Sequence, residues 1–345
     1  MPGIKVNIGS IETSGVEFQV NTIPYSSRHF SWNLSGNIAF ENGIIKELAD
    51  HTPFITGSSG RPQWLIEEGG KIGNFYGWQK LGIYAYDISN AYTKDGLRLT
   101  PIGVVVKKFV GSNPSPRKDT VTFTGYTLNG KPYNDTVYSK YTNGLKLLGG
   151  DTEWEDINND GIIDDLDRKI LGNTQPDFYF GVVNTFNYKQ FSLTVIVNGT
   201  IGGKIYNSFK EGLTNNSSSN GPALPEAIYG AWKAQGDIAT WPYFPDVRGD
   251  TRNSRRLGGN SYFIEDASFI RLSSAKLTYR LKPGVAKKAF MNSATVYIYG
   301  INLLTWTDYT GYDPEFSNSN ALQPGDDNGK YPKRREFGMG VNLQF

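Results

Sequence analysis

The chain ends with Phe337-Gly338-Met339-Gly340-Val341-Asn342-Leu343-Gln344-Phe345, a segment in which large apolar residues alternate strictly with small or polar ones. A β-strand places successive side chains on opposite faces, so the segment predicts a strand with one apolar and one polar face. Strands that cross a bilayer are about 9–11 residues long, with lipid on one side and water or protein on the other. Soluble sheets alternate too, so the interpretation depends on how often the pattern recurs.

The same alternation recurs in three pairs of segments, each of which predicts an antiparallel hairpin. The first pair is 16–20 with 30–40, where period two holds over eleven positions, which a helix does not produce. The second spans about 177–203, with a tight turn at 189–190, and the third spans about 262–304.

Two features of the third hairpin fit the pattern less well. Arg271 is expected on the apolar face near the start of its strand, which favours a position at the rim of a membrane. The segment 296–303 is apolar on both sides, with Tyr297 and Tyr299 expected on the same face as Ile301.

Long polar stretches separate the hairpins at 80–176, 205–261 and 308–335. Compact soluble domains rarely carry loops of this length, whereas outer-membrane barrels join strands by short periplasmic turns and long extracellular loops. We therefore expect residues 1–345 to form one partial antiparallel transmembrane β-barrel domain, all-β, with these three stretches outside the cell. An even number of spans must lie between about 45 and 177; the candidates are 72–86 and 102–110, and zero also satisfies the count.

The composition agrees with this class. The 345 residues include 40 glycines and 14% aromatic residues, with 35 Lys and Arg against 33 Asp and Glu, and no cysteine. The charge balance gives no sign of nucleic-acid binding, and without cysteine a disulfide framework and a thiolate metal site are excluded. The sequence has no run of 18 apolar residues, so no membrane-spanning helix is predicted. The first residues do not resemble a signal peptide, which we expect to have been removed or to lie on a longer chain.

The acidic stretch 156–167 has the spacing of a calcium-binding loop. The predicted ligands are Asp156, Asn158, Asp160, Ile162 through its carbonyl, Asp164 and Asp167. Gly161 permits the sharp turn, Ile163 is expected to pack inward, and oxygen ligands at this spacing surround one point. Asp167 replaces the usual glutamate, which weakens bidentate binding. The alternative is a solvated acidic turn; a bound calcium ion would stiffen the loop and would not catalyse a reaction.

Several strings, taken in order, resemble the SusC/RagA family of TonB-dependent outer-membrane transporters. They are Gly-Val-Glu-Phe at 15–18, Phe-Ser-Trp at 30–32, Gly-Asn-Phe-Tyr-Gly-Trp at 73–78, the acidic loop with Ile-Leu-Gly-Asn at 170–173 and Pro176, Ser-Phe-Ile-Arg-Leu at 268–272, Asn-Leu-Leu-Thr-Trp at 302–306, Thr-Gly-Tyr-Asp-Pro-Glu at 310–315, and Phe345. Each string is weak alone, but the ordered set spans nearly the whole chain.

The resemblance implies the C-terminal part of a 22-stranded barrel in the outer membrane of a Gram-negative bacterium. The plug domain and the TonB box that family members carry are expected to be absent from this chain, so the TonB complex would act through the missing N-terminal part. The family imports glycan or peptide fragments together with a SusD-like lipoprotein that covers the extracellular loops. Phe345 resembles the terminal signal that the barrel assembly machinery reads.

Loop aromatics are the candidate ligand-binding residues, since their rings stack on the faces of sugars. They are Trp232, Trp241, Tyr243, Trp306 and Tyr309. Aromatics near strand ends also form the interfacial girdles of barrels. A soluble, calcium-binding, carbohydrate-binding β-sandwich is the alternative function. A glycoside hydrolase using Asp313 and Glu315 is a third, but the family string accounts for that pair, and no enzymatic activity is expected.

Overall fold

The computed structural model describes residues 9–58, 61–112, 118–214, 224–243, 257–316 and 320–345. Seven long strands form one antiparallel sheet in which each strand pairs with the next along the chain. They are β1 (Gly9–Ser26), β2 (Phe30–Leu48), β3 (Phe178–Tyr188), β4 (Phe191–Ile201), β5 (Phe269–Arg280), β6 (Ser293–Thr307) and β7 (Glu336–Gln344). The three hairpins and the final strand predicted from the period-two pattern are thus confirmed.

One face of this sheet carries mostly apolar side chains from edge to edge. Strand pairing places one continuous row of large side chains across β2 to β7, namely Trp32, Phe186, Leu193, Leu277, Ile298 and Met339. Aromatic residues mark both ends of the strands on this face. At the end with short turns lie Phe30, Tyr188, Phe191 and Tyr279, and at the other end lie Phe40, Phe178, Phe180 and Trp306.

The apolar face is open. Phe18 is 60% exposed and Met339 is 83% exposed. The other sheets that the described residues form have two to four short strands, and none of them joins the large sheet. A β-sandwich would seal Trp32, Val195 and Leu343 in one core between two sheets. The structure shows no such core within the described part of the chain, so the sandwich interpretation of the fold is wrong.

A β-bulge moves Arg271 to the other face from the one expected. Arg271 pairs with Asn198 of β4 and Thr305 of β6, and the register shifts between Leu272 and Ser274. The extra residue at a bulge reverses the alternation beyond it. Arg271 therefore shares the polar face with Lys276, five positions further on, and it is buried.

The facing of β6 also differs from the expectation. Tyr297 and Tyr299 lie opposite Gly340 and Gly338, on the polar face, while Val296 and Ile298 lie on the apolar face. The irregularity that displaces Arg271 also separates these tyrosines from the residues beyond Ile301. The segment 296–303 is therefore an ordinary alternating strand up to Ile301, and it looks apolar on both sides only because the register changes beyond that residue.

No described residue between 49 and 177 adds a strand to the large sheet, because β2 pairs directly with β3. Of the two candidate spans, 72–86 and 102–110, neither crosses the sheet. They contribute only short strands to smaller sheets. The short strands are Phe54–Thr56, Trp64–Ile66, Asn74–Trp78, Lys80–Ile83, Thr100–Ile102, Val105–Lys107, Thr120–Thr122, Gly125–Leu128, Lys131–Tyr133, Tyr141–Thr142, Leu145–Lys146, Thr152–Trp154, Ile162–Ile163, Arg168–Asn173, Lys204–Tyr206 and Ile264–Asp266.

Helices are few and short among the described residues. They are α1 (Ser208–Thr214), α2 (Pro225–Tyr229) and α3 (Pro283–Lys288), with 3-10 turns at Asp165–Asp167 and Ser261–Phe263. The helix α3 lies in the connection between β5 and β6. None of the helices that the structure describes is long and apolar enough to cross a membrane.

The hydrophobic core lies in the connections and not under the sheet. We call the described parts of 49–177, 202–268 and 308–335 the loop lobe. Within it Trp64, Phe75 and Tyr206 form one buried cluster with the end of β2, and Trp154 with Tyr84 belongs to a second. The polypeptide thus buries its aromatics in the lobe and exposes the apolar side of its sheet.

Candidate functional site

The acidic loop is folded around its own backbone N–H groups. Asp160 Oδ1 accepts a hydrogen bond from Ile162 N at 2.7 Å, and Asp164 Oδ1 accepts one from Leu166 N at 2.8 Å. Asp167 is fully buried and accepts from Ile157 N and Asp164 N, at 2.8 and 2.9 Å. These bonds close a series of tight turns, so the loop holds its shape through hydrogen bonding.

One oxygen of this loop stands apart. Asp156 Oδ2 accepts from Gly161 N at 3.1 Å, whereas Asp156 Oδ1 is buried with no hydrogen-bond partner in the described part of the chain. A buried carboxylate oxygen without a partner is costly unless a cation or water meets it. The side chain of Ile163 is buried beside Trp154, which confirms its predicted inward packing.

The charge balance of the loop involves a lysine that the sequence pattern did not indicate. Lys140 is buried, and burial lowers the pKa of its ammonium group, while the nearby Asp156, Glu153 and Asp167 act in the opposite direction. Burial also raises the pKa of Asp167. Among the described residues, no group of three or more Asp, Glu or His side chains is arranged to hold a metal ion.

Three of the five predicted ligand-binding aromatics are buried in the loop lobe. Trp232 is 1% exposed and donates from Nε1 to the Ala85 carbonyl at 3.0 Å. Trp241 is stacked on Tyr262 with ring centroids 5.3 Å apart, and Tyr309 donates to Asp327 Oδ2 at 2.5 Å. In this conformation these rings hold the lobe together and offer no face to a ligand.

The other two aromatics lie apart from each other. Tyr243 is partly buried with its ring edge-on to Trp232 at 6.1 Å. Trp306 is exposed on the apolar face of the sheet, where it pairs with Ile270. That place corresponds to an aromatic girdle. The structure therefore does not bring the five rings into one binding surface.

A cavity of about 400 Å³ lies where the polar face of the sheet meets the loop lobe. Tyr179, Thr200 and Phe269 lie side by side on β3, β4 and β5 and form part of its wall. Glu41 and Glu315 contribute charge to the lining. The cavity thus lies between the polar face of the sheet and both apolar and charged residues of the loop lobe.

A buried ion pair fastens the connection between β6 and β7 above this cavity. Arg271 Nη2 lies 2.6 Å from Asp313 Oδ1 and 3.7 Å from Glu315 Oε2. Glu315 also pairs with Lys333. Both carboxylates of the hydrolase hypothesis, Asp313 and Glu315, are therefore engaged in ion pairs with basic side chains. The sequence signal was present, since Arg271 and Asp313 lie in two of the family strings, but their pairing was not predicted.

No family model matches the chain. It is 36% identical to the TonB-dependent receptor P39 of Formosa agariphila, over 99% of this chain and 31% of that protein. It is 25% identical to the TonB-dependent receptor SusC of Bacteroides thetaiotaomicron, over 98% of this chain and 27% of that protein. The chain therefore spans less than a third of the length of these curated relatives.

Among solved structures, the fold matches the RagAB peptide transporter with a TM-score of 0.60 at 20% identity, covering 98% of this chain and 30% of that one. At this identity the match concerns the fold alone. Together the comparisons confirm the family resemblance and the fold class that the sequence predicts.

Proposed function

We propose, from the similarity of this chain to one part of SusC/RagA-family TonB-dependent receptors, that it forms seven wall strands and the outer loops of an outer-membrane importer. The apolar face of the sheet would contact lipid, and the polar face would line the lumen. The large loop lobe would lie outside the cell, and the turns at 27–29, 189–190 and 281–292 would face the periplasm.

A single observation carries this proposal: a seven-stranded sheet exposes a continuous apolar face, bounded at both ends by aromatic residues, while the tryptophans of its connections are buried. A water-soluble domain would bury such a face, because a contiguous apolar patch of this size drives association. A bilayer covers it, and aromatic girdles mark the two interfaces.

The cargo and partners follow as finer proposals. Glycan or peptide fragments are the proposed cargo, with the cavity of about 400 Å³ as one contact point inside the lumen. A SusD-like lipoprotein would dock on the loop lobe, and energy would come from TonB through a part of the protein outside this chain. No chemical reaction is proposed, since Asp313 and Glu315 are held in ion pairs.

Calcium binding by the loop at 156–167 is a separate proposal. The spacing of its oxygens and the unpartnered, buried Asp156 Oδ1 support it. The remaining carboxylates accept backbone hydrogen bonds, so a cation would have to replace several of these bonds, and its effect would be on loop stability.

The proposed function is tested on the full-length protein that carries this chain. Expressed with its signal, it should fractionate with the outer membrane and migrate faster on gels when unheated than when boiled, as folded barrels do. Uptake of labelled oligosaccharides and of labelled peptides should then be measured with and without an uncoupler of the inner-membrane proton gradient.

The variant Val195→Glu introduces a carboxylate in the middle of the apolar face and should abolish the faster-migrating band of the unheated sample. Thr194→Glu, on the neighbouring polar-face position, is the matched control and should leave it intact. Equal tolerance of both substitutions, or a protein that stays in the soluble fraction, would contradict the proposal.

A further inference from the structure

The charges of the large sheet are segregated by sign. None of the 33 acidic residues of the chain lies in the segments that hold the short turns and the adjoining strands, namely 18–40, 178–203, 267–307 and 337–345. The short-turn end of these segments carries six cations, which are Arg28 in the first turn, Lys189 in the second, and Arg280, Lys282, Lys287 and Lys288 around the third. We call these six residues the basic rim. Because the chain as a whole has a net charge of only +2, the rim is a local excess of positive charge.

The cations of the basic rim are available to an anion from outside the chain. All six are exposed, and no acidic residue in the described part of the chain forms an ion pair with any of them. Lys189 Nζ lies 5.2 Å from the centre of the Tyr188 ring, which belongs to the aromatic row at the short-turn end of the apolar face. The rim therefore adjoins the boundary of the apolar face.

The third turn adds exposed apolar side chains to the basic rim. Val285 is 54% exposed and Phe290 is 91% exposed. Phe290 follows α3 in the left-handed backbone conformation, with φ of 57°, at a place where helices usually carry glycine. The Met291 N–H donates to the Ala286 carbonyl at 3.0 Å and closes this end of the helix. The turn thus holds a large apolar ring in water and in a strained conformation, which is costly unless something covers the ring.

The packing of α3 places this ring near the apolar face. The helix contacts β6. Ala286 of α3 and Ala294 of β6 are the two buried residues of the segment 281–296. Ala294 lies on the apolar face, opposite Leu343, and its burial indicates that α3 covers this corner of the face. Cations and exposed apolar side chains therefore meet where the apolar face ends.

We propose that the basic rim binds the headgroup phosphates of anionic phospholipids in the leaflet that faces the periplasm, with the ring of Phe290 inserted at the edge of the hydrocarbon. The inference rests on the proposed function, because only the proposed topology places the short turns at that leaflet. Segments that lie in a membrane interface combine cations with exposed apolar side chains in this way.

The spread of the cations decides between a lipid surface and a single bound anion. The first and third turns are four strand spacings apart, which is about 20 Å along the rim. One small anion, whether a carboxylate or a phosphate, does not span that distance. A leaflet presents a continuous layer of phosphates just beyond the aromatic girdle, and each cation near that layer contributes separately to binding.

The first test uses the full-length protein in a mild detergent, exposed to equal amounts of phosphatidylglycerol and phosphatidylethanolamine with the same acyl chains. Native mass spectrometry gives the number of lipids of each kind that stay bound. The wild type should favour phosphatidylglycerol. Lys287→Gln with Lys288→Gln should lower this preference about five-fold per lysine at low salt. Equal binding of the two lipids to the wild type would overturn the proposal.

The matched control is Lys131→Gln with Lys146→Gln, which removes the same charge from two exposed lysines of the loop lobe. It should leave the lipid preference unchanged. An equal fall in both double variants would overturn the proposal, because the preference would then follow the net charge of the protein and not the basic rim.

The second test identifies what covers Phe290. The photoreactive amino acid p-benzoyl-phenylalanine, introduced in place of Phe290 in the full-length protein in cells, should give a phospholipid adduct on illumination. An adduct with another protein, or no adduct, would overturn the proposal. Phe290→Gly removes the ring and relaxes the backbone, so it should fold as well as the wild type and retain less phosphatidylglycerol. Unchanged retention in this variant would contradict the insertion of the ring.

Failure of the proposed function would look different in these experiments. A chain that does not lie in a membrane would lack the faster-migrating band of the unheated sample, whatever lipid accompanies it. A membrane chain whose rim does not select anionic lipid would keep that band and bind the two lipids equally.

Discussion

The ring of Tyr297 lies across Gly340, on the neighbouring strand of the polar face. The same relationship joins Tyr299 to Gly338. In both pairs a Cβ atom on the glycine would overlap the ring, so the glycines make room for the tyrosines. The ammonium group of Lys276 lies 4.1 Å from the centre of the Tyr297 ring and adds a cation–π contact. The small residues of the final segment are thus explained by their cross-strand partners.

Gly340→Ala should therefore destabilise the pairing of β6 with β7, by about 1–3 kcal/mol, because the tyrosine ring must leave its rotamer. The measurement is the temperature at which the folded band of the full-length protein disappears. Gly284→Ala in α3, where the added methyl group meets nothing within 4 Å, is the control and should change little. If adding Tyr297→Ala to Gly340→Ala does not restore the lost stability, overlap with the tyrosine ring is not the cause of the loss.

Asn184 is a polar residue on the apolar face, and its side chain is hydrogen-bonded to a tryptophan of the neighbouring strand. Asn184 Oδ1 accepts a hydrogen bond from Trp32 Nε1 at 3.0 Å, across the β2–β3 pair. In lipid no water replaces this bond, so Trp32→Phe should lower the stability of the folded barrel by about 1 kcal/mol. Trp306→Phe, an exposed indole on the same face, should have a smaller effect. Adding Asn184→Val to Trp32→Phe should recover the loss, and a failure to recover would show that ring packing dominates.

The sheet was predictable from the sequence because the alternation of side chains encodes it directly. The hairpin 16–40 and the strand 337–345 show the pattern over many positions. The predicted face of Arg271 was wrong because a β-bulge has no reliable signature in residue type. One extra residue moves every side chain beyond it to the opposite face. The pairing of β2 with β3 was not predictable either, since the 129 intervening positions carry no periodic signal that excludes two more spans.

The loop lobe was predictable only as a set of long connections. Its internal packing depends on contacts between distant residues, such as Trp64 Nε1 donating to the Pro324 carbonyl, 260 positions away. Aromatic composition alone did not separate rings that bind ligands from rings that form a core. For this reason Trp232 and Trp241 were expected at a binding surface and are instead buried.

The Arg271–Asp313 pair should control how firmly the connection between β6 and β7 is held. Asp313→Ala leaves a buried guanidinium without its nearest counter-charge, which costs about 3–5 kcal/mol when an ion pair is fully buried. Hydrogen exchange at residues 310–316 should accelerate accordingly. Glu336→Gln removes an exposed ion pair with Arg334. It should change the free energy of local opening, as measured by hydrogen exchange, by less than about 1 kcal/mol. Equal effects of the two variants would show that Arg271 does not anchor this connection.

The stability of the lobe should depend on pH through Glu211 in α1. Burial raises its pKa from 4.5 to about 7, with Asp326 acting in the same direction and Arg61 and Tyr206 opposing it. Between these values the folded state keeps a proton on Glu211 that the unfolded chain has lost. The contribution of Glu211 to stability is therefore fully present below about pH 4.5 and is lost as the pH rises through about 7. Glu211→Gln should remove this loss.

The corresponding measurement is thermal unfolding of the full-length protein at pH 5 and pH 8. At pH 8 Glu211→Gln should melt at a higher temperature than the wild type, and at pH 5 the two should nearly coincide. Glu226→Gln on the adjacent α2, whose side chain is half exposed, is the matched control and should show no such crossover. A wild type as stable at pH 8 as at pH 5 would contradict the assignment to Glu211.

Calcium should stiffen the loop at 156–167 if Asp156 Oδ1 is a ligand. The full-length protein, stripped with a chelator and titrated with calcium, should take up one ion per chain at about 10⁻⁴–10⁻³ M, the range of extracellular sites. Asp156→Asn should weaken uptake by an order of magnitude or more, because it replaces a charged oxygen by an amide. Asp135→Asn changes an exposed carboxylate that also caps its own turn, through Thr136 N, and should leave uptake unchanged. Uptake that is absent at millimolar calcium would leave Lys140 as the cation that balances this loop.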